Sequence, residues 1–167
     1  MANREMRREH MKSMNAARKI SLDATYKAAG ELARDSFIAN MSDQLFVSGL
    51  SLYWGEGDKR TRHQVRLTNT DPALVKIFLK FLLKYSELPL ERVWVSLIRY
   101  PDTTSEGCEM YWQDQLGLGA EHFQKTVEIQ GRGTERRSAY GICVVGISSS
   151  VLKVKMLTWI AELGKYL

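Results

Sequence analysis

The chain's most suggestive carboxylate is Glu56, which closes the run Phe46-Val-Ser-Gly-Leu-Ser-Leu-Tyr-Trp-Gly-Glu56 and is followed by Gly57. An acid at the end of an apolar helix is a charged oxygen acceptor presented at a turn. Small residues recur at Ser48, Ser51 and Gly55, offsets of three and four that place them on one helical face with Leu52 beside them. A second helix can approach such a face closely. Gly55 and Gly57 have low helix propensity, so the spacing predicts that they stop the helix where Glu56 is presented. The other reading is a buried helix with a glycine cap and a solvated Glu.

Cationic and amide side chains follow directly. Lys59 and Arg60 stand in a polar turn. From Arg62 to Thr68 the chain alternates with period two, Val65 and Leu67 on one face and Arg62, Gln64, Arg66 and Thr68 on the other. Two guanidiniums, an amide and a hydroxyl on one strand face can address phosphates and base edges, although a solvated sheet face carries the same pattern. Further along, Gly131-Arg-Gly-Thr-Glu-Arg-Arg-Ser138 reads as a basic hairpin tip, with Arg132, Arg136 and Arg137 as backbone contacts. It lacks the Lys-Ser/Thr of a nucleotide-binding loop.

With Gly57 on the final glycine, the stretch from Gly49 to Gly57 resembles the LAGLIDADG motif of homing endonucleases. Glu56 then falls on the catalytic acid, Ser51 and Gly55 on the two small helix-contact positions, and Leu52 on the central leucine, while Gly49, Leu50, Tyr53 and Trp54 depart from the motif. In that family two such helices pack side by side, and their terminal carboxylates hold divalent metal over the scissile phosphates. One motif per chain then implies a homodimer. The resemblance implies a Mg²⁺-dependent endonuclease for double-stranded DNA, with Glu56 as catalytic and metal-binding residue. The family's basic residue near the scissile phosphate has no match here. A non-cleaving DNA-binding regulator on the same scaffold is the alternative, and a small interaction protein with incidental charge a third.

The chain as a whole bounds these readings. Its 167 residues, 44% hydrophobic, suit one globular domain with an appended arm. A net charge of +5 favours a polyanionic partner, and no apolar run is long enough to span a bilayer. Two distant cysteines and three scattered histidines imply neither disulfide framework nor zinc site. No secretory core follows the basic N-terminus, so a cytoplasmic protein is expected. Walker, GxSxG and HExxH patterns are missing.

The positioning elements follow from periodicity and caps. Residues 1–41 form a basic helical N-terminal arm, read as helices over 4–20 and from Ser21 to about Ala39. Residues 42–167 form the main domain. Ser42 is the expected cap of the motif helix, and Asp71-Pro72 opens a helix with the stripe Leu74, Phe78, Phe81, Leu82 and Tyr85. Arg92–Tyr100 is a strand apolar on both faces, hence central. Thr104–Leu116 is a helix, Thr126–Gln130 and Tyr140–Ser148 are strands, and Ser148–Ser150 caps a last helix. The order is α+β with an antiparallel-leaning sheet. It is similar to the αββαββα order of the LAGLIDADG domain, with a helical insertion at about 104–124.

Overall fold

The fold is seen in a computed structural model, which describes residues 2–101, 103–129 and 138–167. Among the described residues it is α+β, with five α-helices and a four-stranded mixed sheet. Helix α1, Ala2–Asn40, runs unbroken for 39 residues, whereas the sequence predicts a break at Ser21. No proline occurs in this helix and its one glycine, Gly30, lies well beyond Ser21, whose carbonyl accepts the Thr25 hydroxyl at 2.9 Å as part of the continuing helix. Its last third is part of the core: Ala29, Ala33 and Phe37 are buried, and the Trp159 indole donates to the Ala33 carbonyl at 2.9 Å.

Helix α2, Gln44–Glu56, starts one residue later than Ser42 implies, because Asp43 accepts the Leu45 N–H at 2.8 Å and is fixed by Lys84 at 2.6 Å. That lysine holds the Asp43 carboxyl well below the usual carboxylate range. Helix α3, Pro72–Tyr85, opens as expected on Asp71 and Pro72. Helix α4 spans Ser105–Leu116 and α5 spans Ser150–Leu163, the latter capped by Ser149.

The strands are β1 (Val65–Asn69), β2 (Val93–Arg99), β3 (Val127–Glu128) and β4 (Ile142–Ile147), in the spatial order β1-β4-β2-β3. β4 is antiparallel to both β1 and β2, while β3 is parallel to β2. As expected, β2 is interior. The expected strand Thr126–Gln130 shrinks to two described residues, tied to β2 by the Arg99–Glu128 ion pair. β2 lies between β3 and β4, so these two strands do not form the hairpin expected around 131–138.

One face of the sheet, made of Val65, Leu67, Val93, Val95, Leu97, Cys143, Val145 and Ile147, is buried under the helices. The core aromatics interlock there, with Phe46 edge-on to Tyr85 at 5.0 Å and to Trp159 at 5.2 Å. The opposite face lies away from the described helices, with Thr68 exposed, Arg66, Trp94 and Ser96 half-buried and Val144 and Gly146 buried. Register sets Arg66, Gly146 and Trp94 across it in one row and Thr68, Val144 and Ser96 in the next. Both cysteines are buried and free, and among the described residues no helix is long and apolar enough to cross a membrane.

Candidate functional site

Helix α2 turns Phe46, Gly49, Leu50 and Tyr53 into the core. At 100° per residue, Ser48, Ser51 and Gly55 fall on the opposite side, and all three are exposed, with Leu52 half-buried on the flank. A Cβ added at Gly55 would meet nothing within 4 Å. The glycine in a close helix contact is instead Gly49, whose added Cβ would lie 2.2 Å from the Phe81 ring where α2 crosses α3. The sequence-level reading placed close packing on Ser48, Ser51 and Gly55; within the chain it belongs to Gly49.

Glu56 is the last helical residue and is exposed. Gly55 does not stop the helix. Gly57 does, in an extended conformation (φ −76°, ψ 151°), with its N–H on the Tyr53 carbonyl at 2.9 Å and a bridge to Leu67. A side chain at 57 would strike the Tyr53 ring.

Beneath this turn lies a polar network that fixes where Glu56 is presented. The buried Tyr53 hydroxyl donates to the Asp58 carbonyl at 2.6 Å, and Lys153 of α5 donates to the Tyr53 oxygen at 2.7 Å and to the same carbonyl. Burial pushes the Tyr53 phenol above its ordinary range and lowers the Lys153 ammonium. Asp58 does not face solvent as its place beyond the glycine turn implies. Its carboxylate accepts the Thr61 hydroxyl at 2.5 Å, the Arg60 N–H at 2.8 Å and Arg66 Nε at 2.9 Å. Those bonds, Thr61 foremost, hold it well below the usual carboxylate range.

The network also redistributes the expected cations. Because Asp58 ties residues 58–61 into a loop, the strand begins at Val65, so Arg62 and Gln64 precede it. Arg66 and Thr68 do sit on the sheet face away from the described helices, Arg66 paired with Asp58 at 2.8 Å. Lys59 folds back to the Trp54 carbonyl at 2.5 Å, at the negative end of α2. Arg60 and Arg62 are exposed. Arg132, Arg136 and Arg137 lie outside the described residues.

Sequence reasoning missed Asp58 and Lys153. Lys153 carries a legible signal, since it stands three residues before buried Met156 on the apolar face of α5.

Chemically, the end of α2 offers one exposed carboxylate beside a small, open helix face. No group of three or more His, Cys, Asp or Glu that could hold a metal occurs among the described residues. Comparison of the chain with protein-family models, with curated proteins and with solved structures gives no match.

Proposed function

We propose that two copies of the chain pair through α2 and act on double-stranded DNA as a divalent-metal-dependent endonuclease of LAGLIDADG type. The observation that carries this reading is the construction of α2: a packed face on one side, an exposed face of Ser48, Ser51 and Gly55 on the other, and Glu56 at its end. The element order supports it. α2, β1, α3, β2, β4 and α5 follow the αββαββα order if the first strand is reduced to the Gly57–Leu67 bridge and both α4 and the parallel strand β3 are counted as an insertion. The sheet face away from the described helices, with Arg66, Thr68, Trp94 and Ser96, is the surface offered to the duplex. Arg60 is exposed in the loop before β1.

In the pair, Glu56 of each copy would hold the cation, preferably Mg²⁺. When bound, it would neutralise developing charge on the phosphate and activate water. The chain's own residues position the acid, through the Tyr53–Lys153–Asp58 network, and dock the backbone.

A non-cleaving DNA-binding regulator is the second reading. It is favoured by one observation: the basic groups of Lys59 and Arg66 in the segment after Glu56 are engaged by the Trp54 carbonyl and the Asp58 carboxylate.

Glu56→Gln tests the assignment. The variant should bind duplex DNA as tightly as the parent or slightly more so, and lose Mg²⁺- or Mn²⁺-dependent cutting of a random duplex library. Equal cutting by both proteins removes Glu56 from the chemistry. Binding by both without cutting by either selects the regulator.

A further inference from the structure

Away from the exposed face of α2, the middle of α1, the loop 59–63 and the first turns of α5 enclose a cleft of about 630 Å³. Five basic side chains, Arg18, Lys19, Lys59, Arg62 and Lys153, line it against one carboxylate, Asp23. Its apolar wall is Leu22, Tyr26, Val154 and Leu157, of which Leu22 and Leu157 are about two-fifths exposed. α5 points its positive N-terminal end here, and the Ser150 hydroxyl meets His63 Nδ1 at 2.6 Å on the rim.

We infer that this cleft is a phosphate-binding site, and that its occupant is the backbone of a nucleic acid that continues outward along α1.

Two arguments select that occupant. The first is charge. Like charges crowded on a low-dielectric wall repel one another, and an anion between them relieves the repulsion. At Lys153 burial lowers the ammonium first; Asp58 raises it, and Lys59, which shares the cleft, lowers it again.

The second argument is continuity. On a helix of 100° per residue, Arg4, Arg7, Arg8, Lys12, Arg18 and Lys19 fall on one side of α1, with Glu5 and Glu9 off its edge. Arg4, Arg7, Arg8 and Lys12 line one hollow with Met11. From Arg4 to Lys19 this stripe runs roughly 22 Å at 1.5 Å per residue. A free nucleotide fills the cleft and leaves the stripe idle. A strand with a charge about every 3.4 Å engages both.

The reading of α2 and Glu56 as a cleavage centre is not required for this inference, and the test separates the two. Binding of a labelled duplex is followed by anisotropy in EDTA over a salt series, with no cleavage needed. Each lost phosphate contact should lower the slope of log affinity against log salt by about 0.9. Arg18→Ala/Lys19→Ala, which keeps good helix formers on an exposed face, should therefore lose up to about twice that, and Arg62→Ala about 0.9. Lys80→Ala, exposed on α3, should match the parent. Circular dichroism checks that each variant is folded. Parent-like slopes for both cleft variants overturn the proposal. Calorimetry with ATP and with inorganic phosphate distinguishes the source: saturable binding of either, lost in the Arg18/Lys19 variant while the DNA slope stays unchanged, overturns the nucleic-acid occupant in favour of a free phosphate ligand.

Discussion

Two glycines on α2 should respond in opposite ways to added side chains, and the contrast tests both the fold and the pairing. An alanine Cβ at Gly49 would lie 2.2, 2.4 and 2.5 Å from Phe81 Cγ, Cβ and Cδ2, so something must move by more than an ångström. Phe81 has little room to yield, being packed against Phe46, Phe78, Tyr85 and Trp159 at centroid distances of 5.4 to 6.3 Å. Contacts this short put the cost in the upper part of the overpacking range, roughly 2–3 kcal/mol, and replacing a helical glycine returns about 1 kcal/mol. Gly49→Ala should therefore lose about 1–2 kcal/mol, which for a chain of this size lowers Tm by roughly 2–8 °C. At Gly55 an added Cβ meets nothing, so Gly55→Leu should leave the folding of the single chain unchanged or slightly improved. In a pair formed through α2 the same side chain stands where the partner backbone must come. Urea melts at two protein concentrations, with sedimentation velocity on each variant, read the two effects. A Gly49→Ala protein as stable as the parent would refute the close crossing of α2 and α3. A Gly55→Leu protein with a dimer mass, or a parent that sediments as a monomer, would refute pairing through this face.

Asp58→Asn should cost about 1–2 kcal/mol at neutral pH, because a charged acceptor with three close donors is replaced by a neutral one at a partly exposed site. The parent's carboxyl is held low in the fold, so its contribution is complete above the ordinary value near 4 and lost as pH falls below it; urea midpoints at neutral and acid pH should converge between the two proteins, and parallel curves would count against the network. Lys153 has the reverse sign: its ammonium is lowered by burial, so the folded state binds fewer protons than the unfolded one in the window below about 10.4, and stability should rise with pH there. Lys153→Met should flatten that rise, and a parent whose denaturation midpoint does not climb relative to the variant would show that the ammonium is not penalised.

The parts legible in the sequence are those decided within a turn or two of chain. Asp71 and Pro72 start α3 through bonds to residues two and three further on, and the apolar run Arg92–Tyr100 marks β2 as an interior strand. The illegible parts depend on contacts made at a distance. Ser21 has the local preference of a cap, but nothing after it breaks the helix, so α1 continues. Asp58 and Arg66 are eight residues apart and meet only because the loop doubles back. The choice between Gly49 and Gly55 as the packed glycine was hidden because α2 carries apolar residues nearly all round, Val47, Leu52 and Trp54 as well as Phe46, Leu50 and Tyr53. Periodicity alone does not say which side faces in. The parallel pairing of β3 with β2 has no local signal at all.

Glu56 itself breaks a local rule. A carboxylate at the carbonyl end of a helix opposes the macrodipole by about 0.3–1 kcal/mol, and helix α3 obeys the preference by ending on Lys84. α2 has no basic residue in its last turn; Lys59, beyond the end, reaches back to the Trp54 carbonyl instead. Asp114 of α4 and Glu162 of α5 also stand in last turns, Glu162 paired with Arg34 and Lys165, so what sets Glu56 apart is its exposure beside the small face. Pairing through the small face would bring two such acids and two negative helix ends together, which is unfavourable unless positive charge lies between them. In the proposed pair, small face, terminal acid and divalent cation would therefore belong to one arrangement. A variant that removes the acid should relieve the repulsion and the need for the ion at once, which is why Glu56→Gln is expected to keep its hold on DNA while losing only the chemistry.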